Sequence, residues 1–215
     1  MNKSANKTRA KTPAINPAII PQDEIGKRRF EILKVASRLF ANHGYEGVSI
    51  RGIADAAGIL SASLYHHFSS KQELYIEAHD TALETALMHM RNEISLTNDP
   101  WKRLEGACRR HLEIRATPDS VHHLHYPMTY DASALNGDMR THLVKARDAF
   151  ESIYKELVKD LPLRPDVDRS VFRLALVSMI HSSSEWYKPG GHTAEDLARE
   201  VIAIFRASSG LRSSS

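Results

Sequence analysis

The chain has 215 residues, 42% hydrophobic and 26% charged, enough for one large or two smaller packed domains. No run of about 18 uncharged apolar residues occurs, so no membrane-spanning helix is expected, and the basic N-terminus lacks the apolar core of a secretory signal. The single cysteine, Cys108, excludes an intrachain disulfide and suits a reducing cytoplasm.

The net charge of +3 is unevenly spread. Residues 1–69 hold ten Lys or Arg against five Asp or Glu, a balance of +5, while the remainder carries −2. One basic end and one near-neutral end fit a nucleic-acid-binding part joined to a part with another task.

In chain order, residues 1–21 are basic, contain Pro13, Pro17 and Pro21, and lack the apolar groups to bury a core. They read as a disordered arm, of the kind that lies along DNA phosphates or simply stays solvated. A helix is predicted from Asp23 to His43, with Ile32, Leu33, Ala36, Leu39 and Phe40 as its buried stripe and Gly44 as its stop. Lys27, Arg28 and Arg29 near its start are placed to reach phosphates.

The stretch from Ser49 to Lys71 carries the sharpest signal. Ile50, Ile53, Ala54 and Ala57 fall at i, i+3, i+4 and i+7, behind Ser49 as a cap. Gly58 then permits a tight turn into a second short helix, Ser61 to Phe68. Leu64 and Phe68 point inward and leave Ser61, Ser63, Tyr65 and His66 facing out, suited to base edges and phosphates. This is a helix-turn-helix.

The run GVSIRGIADAAGILSASLYHHFSSKQEL resembles the DNA-binding domain of the tetracycline-repressor (TetR) family of bacterial transcription regulators, most specifically in LYHHF-S-S-K-x-E-L. The resemblance covers about fifty residues. It implies an all-α homodimer, with a helix-turn-helix domain over 22–70, a helical effector-binding and dimerisation domain over 71–209, and a tail over 210–215. It also implies repression of a palindromic double-stranded DNA operator, with release on binding a small-molecule effector. Ser49, Arg51, Ser61, Ser63, Tyr65, His66 and Lys71 are the expected DNA contacts. Leu60 stands where the family has a small polar cap, so Ser61 is expected to cap the second helix.

Ser70-Lys71-Gln72-Glu73 is a capping box opening a long helix to about Ser95, a rod between head and body. Asp99-Pro100 opens the next helix, ending near Thr117-Pro118. A short helix is expected through His122 to His125, then a clear amphipath with Leu143, Ala146, Phe150, Ile153 and Leu157 on one face. A further helix begins near Asp166. Eight of the ten residues from Val171 to Ile180 are apolar, more than one core face needs, so the surplus is assigned to a second subunit. Thr193 and Asp196 cap the last helix, which would join it in a four-helix dimer interface.

Catalytic patterns are missing: no G-x-S-x-G, P-loop, dinucleotide-binding glycine pattern or HExxH occurs, so no enzyme and no cofactor is expected. Met90, Cys108, His111, Tyr126, Met128, Phe150, His181, Glu185 and Trp186 are candidates to line an effector pocket, apolar with a few polar groups. Each has a core-packing alternative. His122 and His125 share a face at i, i+3, as do Cys108 and His111, which leaves a metal-responsive repressor as the alternative. Trp186-Tyr187-Lys188-Pro189-Gly190-Gly191 resembles a segment of TetR-type regulators of fatty-acid and sterol catabolism, implying an acyl-CoA or hydrophobic carboxylic acid as effector.

Overall fold

The computed structural model describes residues 23–116, 137–186 and 192–208. These form eight helices, with no strand among the described residues: α1 (Glu24–His43), α2 (Ile50–Ala56), α3 (Ser61–His67), α4 (Lys71–Ile94), α5 (Pro100–Ala116), α6 (Gly137–Lys159), α7 (Arg169–Trp186) and α8 (Ala194–Ser208). The expected arm, the short helix through His122 to His125 and the tail lie outside the described residues.

Two apolar cores organise the chain. The first gathers Ile32, Leu33, Ala36 and Phe40 of α1, Ile53 and Ala54 of α2, and Leu64 and Phe68 at α3. Leu74, Tyr75 and Ala78 of α4 join them. The second takes Leu83 to Ile94 of α4 together with α5, most of α6, α7 and α8. At 1.5 Å per residue the 24 residues of α4 run about 36 Å, long enough to belong to both. α6 does the same. Its Met139 and Leu143 are buried in the first core, while Ala146, Phe150, Ile153 and Tyr154 are in the second.

Local chemistry sets the helix ends. Asp23 accepts from Gly26 N at 2.8 Å to start α1, and Gly44, at φ 72°, closes it with a bond to the Phe40 carbonyl. Ser49 Oγ accepts from Gly52 N at 3.0 Å, and Gly58 turns the chain at φ 66°, as its position predicts. Asp99 Oδ1 accepts from Lys102 N at 2.9 Å at the start of α5. At α8, Thr193 Oγ1 accepts from Asp196 N while the Asp196 carboxylate accepts from both Thr193 N and Oγ1. Those hydrogen bonds, with help from Arg199, hold the Asp196 carboxyl down to about 2.

Several expectations need correction. Leu60, not Ser61, occupies the N-cap of α3, so Ser61 is already helical and no side chain caps the helix. The box at α4 is shifted: Ser70 Oγ accepts from Glu73 N, but Glu73 reaches back to Ser69 N and Oγ rather than to Ser70. α7 begins at Arg169, three residues later than expected. Asp168 Oδ1 accepts from Ser170 N and Val171 N and makes the cap, while Asp166 pairs with Arg164. Arg169 turns back to donate to the carbonyls of Val158 and Leu161, tying α7 to the end of α6.

Candidate functional site

The basic cluster at the start of α1 makes contacts within the chain. Arg29 forms a paired contact with the Glu77 carboxylate and lies over the Phe68 ring at 4.0 Å. Arg28 donates to the Ala57 carbonyl at 3.2 Å, and Lys27 pairs with Glu24. Arg28 and Arg29 thereby join α1 to the helix-turn-helix and to α4.

α3 presents a different outer face from the one expected. Tyr65 is 55% exposed and His66 is exposed, but Ser61 and Ser63 are half-buried on the flanks. Ala62 is exposed, and Leu60, two residues before it, stands out at 76% exposure. With a helical repeat of 3.6 residues, burying Leu64 and Phe68 puts 62 and 66 opposite them and 65 on one flank. Arg51 is exposed on α2, 3.9 Å from Asp55, and Ser49 spends its hydroxyl on the cap. Lys71 lies 4.2 Å over the Tyr45 ring, which fixes a positive charge beside the turn into α4.

The body contains a second constellation. His111 is 2% exposed, and its Nδ1 lies 2.9 Å from the Tyr154 hydroxyl. Its ring packs edge-on to Phe150 at 4.8 Å and to His181 at 5.1 Å. The Tyr154 hydroxyl also donates, at 3.5 Å, to the Ala107 carbonyl. Met90 and Cys108 are fully buried in the same core. Burial, with the nearby Glu105 charge, pushes the Cys108 thiol far above its usual range, so it stays protonated.

The structure thus brings His111, Phe150 and His181 into direct ring contact and places Met90 and Cys108 in the same core. Tyr154 was missed: it lies one helical turn after Phe150 on α6, and only the approach of α5 reveals its bond. Glu185 and Trp186 are in the last turn of α7, with side chains outside the described residues. Tyr126 and Met128 lie outside them altogether, as do His122 and His125. Among the described residues no three His, Cys, Asp or Glu side chains come together to hold a metal ion.

Polar contacts tie α4 to α5 and α6. Asp80 on α4 meets His142 Nε2 on α6 at 2.7 Å. Burial opposes ionisation of Asp80, but hydrogen bonds from His79 and His142 outweigh it and hold the carboxyl below its usual value. On α5, Arg109 and Arg110 each contact both Glu93 and Glu113. Gly106 leaves room for this network, since a Cβ there would meet Glu93 Cγ at 2.8 Å.

A helix-turn-helix head on a helical body with a buried polar constellation defines a DNA-binding regulator. Residues 32–78 match the family described as "Bacterial regulatory proteins, tetR family", and residues 97–208 match "Tetracyclin repressor-like, C-terminal domain". The chain belongs to the TetR family of bacterial transcription regulators, which are DNA-binding proteins and not enzymes. It is 32% identical over 195 residues to the HTH-type transcriptional repressor KstR2 of Rhodococcus jostii (strain RHA1), covering 85% of this chain and 92% of that protein. The solved structure of the ketosteroid transcriptional regulator KstR2 of Mycobacterium tuberculosis superposes with a TM-score of 0.67 at 28% identity, over 84% of this chain and 94% of that one. AibR, solved in complex with isovaleryl coenzyme A and operator DNA, shares the fold, with a TM-score of 0.69 at 23% identity, over 82% of this chain and 97% of that one. No helix among the described residues is long and apolar enough to cross a membrane.

Proposed function

We propose that this TetR-family repressor is released from its operator by a largely apolar carboxylic acid or its CoA thioester, bound in the helical body. The observation that carries the reading is the His111–Tyr154 pair, a polar handle among Phe150, Met90 and Cys108 where α4 to α7 meet. A buried hydroxyl and imidazole can exchange their mutual bond for one to a carboxylate or thioester carbonyl, while the apolar neighbours take the hydrocarbon. The ketosteroid regulator KstR2 supports a bulky hydrocarbon part, and AibR, solved with isovaleryl coenzyme A, supports an acyl-CoA. In this reading 22–70 is the DNA-binding domain and 71–209 the effector and dimerisation domain.

The test is thermal denaturation and operator release with a panel of sterol-derived acids, fatty acids, their CoA thioesters, zinc and copper. A cognate ligand at one hundred times its Kd should add about 2.7 kcal/mol to stability and free the DNA. Release by zinc or copper, with no acid or thioester effective, transfers the function to a metal response.

For operator recognition the reading assigns base contacts to Tyr65, His66, Ser61 and Ser63, and phosphate contacts to Ser49, Arg51 and Lys71. Lys71→Ala should weaken binding evenly across sequences and reduce the slope of log K against log salt by about one unit. Tyr65→Ala should instead change which sequences bind. A gel-shift titration at several salt concentrations separates the two, and a Lys71→Ala slope equal to that of the parent would remove Lys71 from the interface.

A further inference from the structure

We propose that Leu60, Ala62 and the ring of Tyr65 form an apolar reading face that recognises thymine C5-methyl groups in the operator's major groove. The inference rests on α3 entering that groove. The N-terminal residues of a recognition helix lie nearest the base edges, and Leu60 and Ala62 are at that end.

Leu60 is the anomaly that leads here. Its side chain is 76% exposed, while its neighbours Ile59 and Leu64 are turned into the head core. It occupies the N-cap, with extended backbone at φ −73° and ψ 145°, where Ser, Thr, Asp or Asn would satisfy a free N–H group of α3. Such a cap is worth about 1 kcal/mol, and the chain does without it. An isolated exposed leucine would need no explanation. This one comes two residues before an exposed Ala62, at the end of a helix whose Tyr65 ring is 55% exposed and whose His66 is exposed.

The chemistry of the groove then names the target. Base edges in the major groove present hydrogen-bond donors and acceptors, apart from the C5-methyl of thymine. Aliphatic side chains at the reading end of α3 gain nothing from the polar edges, and they leave those edges without a partner. Against thymine they exclude water from a methyl group. The exposed His66, and the Ser63 hydroxyl on the flank, remain for polar edges of neighbouring base pairs. The half-site centre is therefore expected to hold at least one thymine read by its methyl group.

The experiment selects operators from random duplexes with the purified protein, then replaces each half-site thymine by deoxyuridine, which removes the methyl and keeps the pairing. Binding is followed by fluorescence anisotropy at fixed salt. At the contacted thymine, deoxyuridine should weaken binding about fourfold, equivalent to the ~0.8 kcal/mol for one buried methyl-sized group. Leu60→Ser, which restores a capping side chain, should fold at least as stably and bind the two operators alike. Equal affinity of the parent for thymine and deoxyuridine at every position overturns the proposal, as does undiminished discrimination by Leu60→Ser. Failure to enrich any sequence would instead count against α3 as the reader, and the proposal falls with it.

Discussion

Leu174→Glu should turn the protein into a monomer and lower operator affinity by at least about a hundredfold. Val171, Leu174, Ala175 and Ser178 form an exposed stripe on α7 at i, i+3, i+4 and i+7, with Val171 64% and Leu174 51% exposed. The opposite stripe of Phe172, Leu176, Val177 and Ile180 is already buried in the chain's own core. On α8, Ile204 is 56% exposed while Val201 and Ile202 are buried. Two such surfaces from two copies would close a four-helix interface about a two-fold axis. A carboxylate at its centre would be buried without a partner, a cost of several kcal/mol. Two heads joined in a dimer make the second half-site contact intramolecular, an advantage of roughly 10²–10⁴ that the monomer forfeits. Sedimentation equilibrium and gel-shift titration measure both effects. A variant that remains dimeric and binds as the parent does would place the interface elsewhere.

Met139→Ala should lower the melting temperature by on the order of 5 to 15 °C. Met139 is 1% exposed, and it is packed in the head core although it lies about sixty residues beyond Ala78. Removing a buried side chain of this size leaves a cavity that costs about 2–5 kcal/mol. Operator binding should weaken as well, although Met139 belongs to α6 and not to the reading helices, because the core that orients α3 and α4 loosens. Lys145→Ala, at an exposed position on the same helix, serves as the control and should change neither measurement. If Met139→Ala melts like the parent, the α6 contact with the head carries little energy.

How much of this was legible in the sequence varies with the kind of interaction. The helix-turn-helix was, because its determinants are local: a cap at Ser49, a positive-φ glycine at Gly58, and an i, i+4 pair at Leu64 and Phe68. Two inward residues fix the rotation of a seven-residue helix only coarsely, which is why Ala62 was overlooked and Ser61 and Ser63 were placed too far outward. The α1 basic residues looked available for phosphates because Glu77 is 48 residues from Arg29, and sequence spacing alone does not reveal such a pair. The same holds for Tyr154. Its bond to His111 joins residues 43 positions apart on two helices, whereas the apolar stripe of α6 was readable from its spacing. The surplus of apolar residues from Val171 to Ile180 was visible as composition. Only the folded chain shows that the surplus lies exposed at Val171, Leu174 and Ala175.

The lone cysteine offers an experimental advantage of its own. Cys108 is fully buried at the turn of α5 that also carries Ala107 and His111, and its thiol is held protonated. A thiol reagent can therefore modify the native chain only when the body opens around that position. With no second cysteine to mask the signal, the labelling rate of the unaltered protein becomes a clock for that opening. Each compound in an effector panel could then be ranked by how far it slows the clock, in the absence of DNA and without engineering a single residue.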